Sequence, residues 1–304
     1  MPKVSVIIPA YNHERFVGAA VESVLDQSHR NIELIVINDG STDRTGDVVQ
    51  SYRDDRLTYL YQDNRDAYNT INRGLSLATG EYVAILNSDD VYFPDRLLRL
   101  ISEQQAAGAH CLFTDVVPIS DEGLEFSDPE FGWNVWHQKN REFHRQCGDL
   151  YVAFLKGNFM VTTSNLFMTA EAVRKVGKFC SLRYLHDYDY IFRMMLAYPG
   201  KVRYLADEKL LYYRIHSGNT LSEAAITGRE QDRELIRKYM LAALPEESRP
   251  FAAAGADRLV ELERELQEVR NALAGNLSPG VRSLARLLAA ALRDKIRKTL
   301  GRTG

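Results

Sequence analysis

From Val4 to Pro9 the chain is apolar, β-branched and closed by a proline, the pattern of a strand buried on both faces of a parallel sheet. Asn12 is placed as the N-cap of a following helix, in which Phe16, Val17, Ala20, Val21, Val24 and Leu25 recur at helical spacing. A second β-branched run, "IELIVIND", covers Ile32 to Asp39. The alternation continues with a helix near Asp43 to Tyr52, a strand at Leu57 to Tyr61, a helix near Ala67 to Ala78 and a strand at Tyr82 to Leu86. Strands alternating with helices predict an α/β fold, a mostly parallel central sheet covered by helices on both faces. Ligands of such sheets sit beyond the carboxyl ends of the strands. The polar clusters "PAYN", "NDGSTD" and "NSDD" fall at those ends.

Beyond residue 108 the pattern weakens. It predicts a strand near Cys111 to Pro118, an irregular aromatic stretch "FGWNVWHQKN", and helices around Gly148 to Leu155 and Asp187 to Leu196. From about Thr227 the chain reads as almost continuously helical, with "RLVELERELQEVRNAL" resembling an exposed or paired helix and a basic amphipathic tail after "GNLSPG". Two domains are expected, residues 1–225 and a C-terminal helical extension over residues 226–304.

Composition narrows the function by exclusion. With 304 residues, 45% hydrophobic content and a net charge of −3, the chain has ample material for a core and no basic excess, so a nucleic-acid partner is not expected. The cysteines, Cys111, Cys147 and Cys180, are odd in number and far apart, which suggests neither a disulfide framework nor a zinc site. The N-terminus enters "KVSVIIPAYN" without an apolar signal core, and no apolar run approaches 18 residues, so a cytoplasmic location is expected.

The strand at Tyr82 ends on Asn87, Ser88, Asp89 and Asp90. Adjacent carboxylates repel, so such a pair is either well solvated or gathered around something positive. No G-x-G-x-x-G follows the first strand and no P-loop motif is present, so a glycine cradle for phosphate is not supported. Two carboxylates at a strand end can instead hold Mg²⁺ or Mn²⁺, hard cations that share oxygen ligands with a diphosphate.

Five motifs in order, "VSVIIPAYN", "VINDGSTD", "ATGEYVAILNSDD", "LHDYDYIFRM" and "YYRIHSGNTLS", resemble the family 2 glycosyltransferases over roughly Lys3 to Ser222. The resemblance implies a GT-A nucleotide-diphospho-sugar transferase fold and the type of enzyme that builds bacterial cell-surface polysaccharides. It implies metal-dependent, inverting transfer of a sugar from a nucleotide diphosphate donor, a UDP-sugar first of all, to a glycan or lipid-linked acceptor. By position, Pro9, Tyr11, Asn12 and Asp39 would line the base and ribose, and Asp89 would meet the ribose or sugar. Asp90 would hold the metal, with His216 a further contact to the metal or diphosphate, and Asp187 would be the catalytic base. The chemistry asks for such a base because an acceptor hydroxyl is a poor nucleophile until a positioned carboxylate takes its proton.

Two positions depart from the family pattern. Asn87 stands where an acidic residue is usual, and His186 where a glutamate usually precedes the catalytic Asp. Trp133, Trp136 and His137 fall where the family builds its acceptor pocket, although core packing explains them equally well. Asn165 and His186 are further acceptor candidates. A sugar nucleotidyltransferase would want a glycine-rich, arginine-containing loop where "PAYNHERF" stands, and a processive synthase would carry a Q-x-x-R-W motif. A non-catalytic nucleotide-sugar or carbohydrate-binding relic is the remaining rival, and Asp89, Asp90 and Asp187 argue against it.

The tail adds an expectation about place. Residues 281–304 carry seven Lys or Arg against one acid, Asp294. On a helix, Arg282, Arg286, Arg293 and Arg297 share one side and Val281, Leu284, Leu288 and Leu292 the other, as in an interfacial helix. Residues 279–304 are therefore expected to dock on an anionic membrane surface as a peripheral anchor at the inner face. Packing on the body, or on a second subunit through the C-terminal helices, is the alternative.

Overall fold

The computed structural model describes residues 1–182, 184–216, 231–241, 244 and 246–276. The basic tail over 279–304 lies outside the described residues. Two compact units follow one another along the chain, Met1–Glu223 and Ala224–Gly304.

The first unit opens with β1 (Val4–Ala10), α1 (Val17–Leu25), β2 (Ile32–Asp39), α2 (Thr45–Ser51), β3 (Leu57–Gln62), α3 (Ala67–Leu77) and β4 (Tyr82–Ile85). It continues with β5 (Val91–Tyr92), α4 (Arg96–Ala107), β6 (Cys111–Ile119), α5 (Gly132–Cys147) and α6 (Leu150–Lys156). A 3₁₀ turn at Thr163–Asn165 leads to β7 (Phe167–Thr169), α7 (Ala170–Val176), α8 (His186–Ala197) and β8 (Val202–Arg214). The strands form one eight-stranded sheet in the order β3-β2-β1-β4-β7-β6-β8-β5. β1, β2, β3 and β4 are mutually parallel, as are β6 and β8. β7 runs antiparallel to both its neighbours and β5 antiparallel to β8.

The mostly parallel, helix-covered sheet expected from the sequence is present. Its core follows from the pleat of β1, where successive side chains leave on opposite faces. Val4, Val6 and Ile8 are buried in one cluster with Val17, Ala20, Val21 and Val24 of α1 and with Leu97 and Leu100 of α4. Ile7 points the other way, toward α3, and there a Cβ on Gly74 would lie 2.4 Å from Ile7 Cγ2, so only glycine lets α3 lie this close to the strand. Each fully buried aliphatic side chain of this kind stabilises by about 1.5–3 kcal/mol.

Three local expectations change. Asn12 is not a helix cap. The helix begins at Val17, while Asn12 takes the left-handed conformation (φ 51°) and accepts the Thr42 N–H at 2.8 Å, fastening the loop after β1 to the loop after β2. The aromatic stretch read as irregular belongs to the sixteen-residue helix α5. Residues Val202–Arg214, given no element by the sequence pattern, form the long strand β8.

The second unit contains a helical segment over 231–241, with a π-helical turn at Ile236–Met240, and the helix α9 (Arg249–Asn276). Within it Arg237 Nη2 donates to Asp257 at 3.0 and 3.1 Å, and Leu235, Tyr239, Ala256 and Val260 are buried. Among the described residues no helix is long and apolar enough to cross a membrane.

At the end of the sheet away from the polar loops, Glu33 draws together the starts of β1, β2 and β4. It accepts from Lys3 Nζ at 2.6 Å, from the Ser5 hydroxyl, and from the Thr79 N–H at 2.6 Å. Burial alone would push this carboxyl up, but the donors from Lys3, Ser5 and Thr79 outweigh it and hold the pKa at about 2, below the ordinary 4.5. The depressed value means that the stabilisation is complete above about pH 4.5 and is lost as pH falls toward 2. Glu33→Gln is expected to cost on the order of 1 kcal/mol at pH 7, partial exposure discounted, with the gap to wild type shrinking at pH 3.5. Urea denaturation at the two pH values measures it, and a gap that stays constant or widens would remove the assignment.

Candidate active site

The site is built where strand ends meet. The loops after β1 and β2 are cross-bolted: the Asn12 N–H donates to Ser41 Oγ at 3.0 Å, the His13 N–H to Thr45 Oγ1 at 2.8 Å, and the Glu14 N–H to Asp43 Oδ2 at 3.0 Å. Asp39, the last residue of β2, is buried. Its Oδ1 accepts Gln62 Nε2 at 2.6 Å and the Arg65 N–H at 3.0 Å, while Oδ2 takes no hydrogen bond from a described residue. Tyr11 is 47% exposed at the rim and Pro9, in register with Ile37, is half-buried within β1.

The two carboxylates after β4 have opposite surroundings. Asp90 points into the protein: its Oδ2 accepts the Ser164 hydroxyl at 2.5 Å and the Thr162 hydroxyl at 3.1 Å, and its Oδ1 accepts the Arg214 main-chain N–H at 3.0 Å. Burial first, and the Asp89 charge second, push its pKa up to about 8. Asp89 meets two imidazoles. His216 Nε2 lies 3.0 Å from Asp89 Oδ2, and one ligand-type atom from each of His13, Asp89 and His216 falls within 4.8 Å of the others. Burial would raise the Asp89 pKa, but the His216 hydrogen bond and the His13 charge overcome it and lower it.

His13 is held in place by Ser88, whose Oγ is 2.8 Å from its Nδ1, and by edge contact with the His216 ring at 5.5 Å. Burial lowers its pKa against the pull of Asp89, which favours the neutral imidazole that can ligate a metal. Two imidazoles and a carboxylate within this span fit a divalent cation. The sequence reading gave the metal to Asp90 and the ribose or sugar to Asp89. In the structure both Asp90 oxygens accept hydrogen bonds from the protein, and Asp89 is the carboxylate that lies against the two imidazoles. His216 is there as expected, and His13 was missed because nothing in "PAYNHERF" tells which way its ring turns.

The turn that holds Asp90 is itself constrained. Val161, β-branched, sits at φ 80°, a conformation costly for such a residue, immediately before Thr162. Asn165 closes this turn. It is fully buried, its amide donates to Thr114 O and Met160 O, and its Oδ1 accepts from the Thr114 N–H at 3.0 Å and Arg96 Nη2 at 3.2 Å. With every polar atom engaged it does not face an acceptor, contrary to expectation. Asn87, the other departure from the family pattern, donates to Thr162 Oγ1 at 3.0 Å and so braces the same turn.

Asp187 lies in the first turn of α8, where a carboxylate suits the helix dipole. Its Oδ1 accepts the Tyr188 N–H at 2.7 Å and its Oδ2 the Asn158 amide at 3.3 Å. Burial raises its pKa, with the neighbouring His186 opposing, which moves the group toward the range useful to a general base. His186 is buried and spends both ring nitrogens internally, on Leu182 O at 3.1 Å and Thr163 Oγ1 at 3.2 Å, so it ties α8 to the turn below Asp90 instead of meeting an acceptor.

Of the aromatic candidates, His137 is a support. Its Nε2 is 2.6 Å from Asp115 Oδ1, and Arg141 Nη1 lies 2.9 Å from Asp115 Oδ2, an ion pair that pins α5 to β6. Trp133 stacks on His137 at 4.9 Å and on Tyr213 at 5.9 Å, and Trp136 beside it is 41% exposed. Arg214 was overlooked by the sequence reading. Its Nε donates to Asp89 O at 2.8 Å and its Nη1 to Ser120 O and Asp121 O, so the end of β8 is locked to the carboxylate pair.

The sequence profile of the family described as Glycosyl transferase family 2 matches residues 5–170. An uncharacterized glycosyltransferase of Nostoc sp. is 32% identical over 240 residues, covering 76% of this chain and 70% of that protein. The glycosyltransferase GlyG of Streptococcus pneumoniae is 29% identical over 225 residues, covering 69% of this chain and 70% of its own. Among solved structures, residues 1–349 of S. aureus TarS in complex with UDP-GlcNAc superpose with a TM-score of 0.60 at 20% identity, over 85% of this chain and 70% of that one. The mannosyltransferase PcManGT from Pyrobaculum calidifontis, in complex with GDP-Man and Mn²⁺, gives a TM-score of 0.58 at 18% identity, over 98% and 82%. At such identities the two structures speak to the fold alone.

Proposed function

The chain belongs to glycosyl transferase family 2, and from that premise we propose that it transfers a hexosyl group, with inversion, from a UDP-sugar to a glycan or lipid-linked acceptor of surface polysaccharide synthesis. The observation that carries the reading is the meeting of His13, Asp89 and His216 beyond the carboxyl end of β4, with Asp39 buried at the end of β2 and Asp187 in the first turn of α8. A divalent cation on those three residues, Mn²⁺ or Mg²⁺, would neutralise the diphosphate that leaves. The solved relatives, one in complex with UDP-GlcNAc and the other with GDP-Man and Mn²⁺, support a nucleotide sugar and a divalent metal.

The remaining roles follow from the side chains. The open Oδ2 of Asp39 accepts from the base or ribose, with Tyr11 and Pro9 beside it and Asn12 holding the loop that carries them. Asp187, whose proton affinity is raised by burial, takes the acceptor proton as the hydroxyl attacks the anomeric carbon, and inversion follows from a single displacement. Trp136, exposed beside the Trp133 stack, offers flat apolar surface to acceptor sugar rings. Asp90 acts behind the site, keeping the turn at Thr162–Asn165 and the end of β8 in place.

The metal assignment ranks two neighbouring variants. Asp89→Asn is expected to weaken Mn²⁺-dependent UDP binding by roughly 10-fold or more, since loss even of a group that only supports a metal ligand costs about that much. Asp90→Asn, which keeps the hydrogen-bonding shape, should bind UDP and Mn²⁺ better than the Asp89 variant. Titration calorimetry on both decides it, and the reverse order would return the metal to Asp90.

Asp187→Asn should leave donor affinity within about twofold while turnover falls by roughly 10² or more. Wild-type turnover in that variant would place the base elsewhere.

As to place, the enzyme acts at the cytoplasmic face of the membrane, held by the basic helix predicted over residues 279–304. Full-length protein is expected to sediment with anionic vesicles at low salt, and protein lacking residues 279–304 to stay in the supernatant with its activity on a soluble acceptor intact. Equal behaviour of the two proteins would end the membrane reading.

A further inference from the structure

Thr162, Thr163 and Ser164 present three hydroxyls in succession, and the structure divides them between two elements. Thr162 and Ser164 donate to Asp90 Oδ2 at 3.1 and 2.5 Å, on the β4 side, while Thr163 Oγ1 lies 3.2 Å from His186 Nε2, on the α8 side. The other ring nitrogen of His186, Nδ1, is 3.1 Å from Leu182 O. A carbonyl only accepts, so Nδ1 carries a proton and Nε2 is the atom turned to the hydroxyl. The ring is buried and meets Phe179 edge-on at 5.8 Å. Phe179 is gripped in turn by Asn72 of α3, which donates to its carbonyl at 2.9 Å and accepts its N–H at 2.7 Å. His186 is therefore fixed by the turn, by Leu182 and by a residue that α3 holds.

What stands at each end of this link gives it consequence. The next residue along α8 is Asp187, read above as the base, and the residue before Asp90 is Asp89, which meets His13 and His216. The bonds of Asp187 itself run to the Tyr188 N–H and the Asn158 amide, whereas the His186 bond runs to the turn that holds Asp90. In a single displacement the attacking oxygen, the anomeric carbon and the leaving oxygen lie in line, so the base must stand at a set distance from the cation that receives the diphosphate. An error of about 1 Å there can cost on the order of 10²-fold in rate.

We propose that His186 is a positioning residue: through Thr163 it fixes the first turn of α8 against the turn that holds Asp90, and so sets where Asp187 stands relative to His13, Asp89 and His216. The inference rests on the reading of Asp187 as the base and of those three residues as the cation site. An ionised carboxylate in this place could not donate to Leu182 O, while an imidazole serves the carbonyl from one edge and the hydroxyl from the other.

Two substitutions separate the two bonds. His186→Asn keeps a donor where Nδ1 stands and loses Thr163, and His186→Gln reaches the place of Nε2 and loses Leu182 O. Each gives up one bond, so their melting temperatures should fall by similar amounts. Nucleotide release is measured with Mn²⁺ from UDP-GlcNAc, UDP-glucose, UDP-galactose and GDP-mannose, with water and with free monosaccharides as acceptors. The asparagine variant is expected to lose roughly 10-fold or more in kcat and the glutamine variant to stay within about threefold of wild type. Affinity for UDP or GDP with Mn²⁺, by calorimetry, should hold within about twofold in both, because Thr162 and Ser164 still grip Asp90. Thr163→Val should match the asparagine variant, and the two together should cost no more than either alone. Equal turnover in the asparagine and glutamine variants, or additive losses in the double variant, would make His186 a structural residue and overturn the proposal. Wild-type protein that binds UDP or GDP but releases no nucleotide has no base to position, and the inference fails while the donor site stands; wild-type protein that binds neither defeats the donor reading itself.

Discussion

The carboxylate of Asp90 ties together three segments far apart in the chain. It takes the Ser164 and Thr162 hydroxyls from the turn before β7 and the main-chain N–H of Arg214 from the end of β8, and it follows β4 directly. These segments carry nearly everything the site uses: Asp89 beside it, His216 just beyond Arg214, and His186 through Thr163. A buried carboxylate left without such donors would cost several kcal/mol, so the three segments are compelled to converge on it. The left-handed Val161 and the raised pKa of Asp90 are two forms of the stability given up to keep that convergence.

The framework is recognisable by its spent hydrogen bonds. Arg96, fully buried, places its guanidinium on Thr114 Oγ1 and on the Asn165 carbonyls, with the Tyr92 ring 4.8 Å away. Asn165, His186 and Asp90 likewise give their polar side-chain atoms to protein groups and so brace the site, whereas Arg96 Nε and His137 Nδ1 find no hydrogen-bond partner among the described residues. The groups left for a ligand are of a different kind. Asp39 keeps one oxygen that takes no hydrogen bond from a described residue, and Asp89 stands against two imidazoles in a geometry that suits a cation. Division into spent and unspent groups lets the site be rigid before its ligands arrive, and a rigid site loses less on ordering.

Reading the elements from the pattern worked where burial and hydrophobicity coincide. β2 was expected at Ile32 to Asp39 and is found there, because a parallel strand covered on both faces must be apolar throughout. α5 defeated the same logic: its buried positions are His137 and Asn140, polar residues made acceptable only by Asp115 and by the Trp136 carbonyl. β8 was hidden for a related reason. Its exposed face carries Asp207 and Lys209, and its pairing with β6 slips at Asp115, so neither alternation nor an apolar run marks it.

The sequence by itself determined the strand-helix alternation, the placing of polar residues at the carboxyl ends of β1, β2 and β4, and, through five ordered motifs, the family. Those features are local, each written in a run of about ten residues by the period of its side chains. What only the tertiary structure decided is which side chain of each cluster turns outward. Asp89 and Asp90 are neighbours of identical chemistry, and their surroundings separate only because Ser164, Thr162 and Arg214, 72 to 124 residues distant, claim one and leave the other to His13 and His216. Such a choice depends on hydrogen-bond donors brought from elsewhere in the chain, and no local pattern encodes where they will arrive.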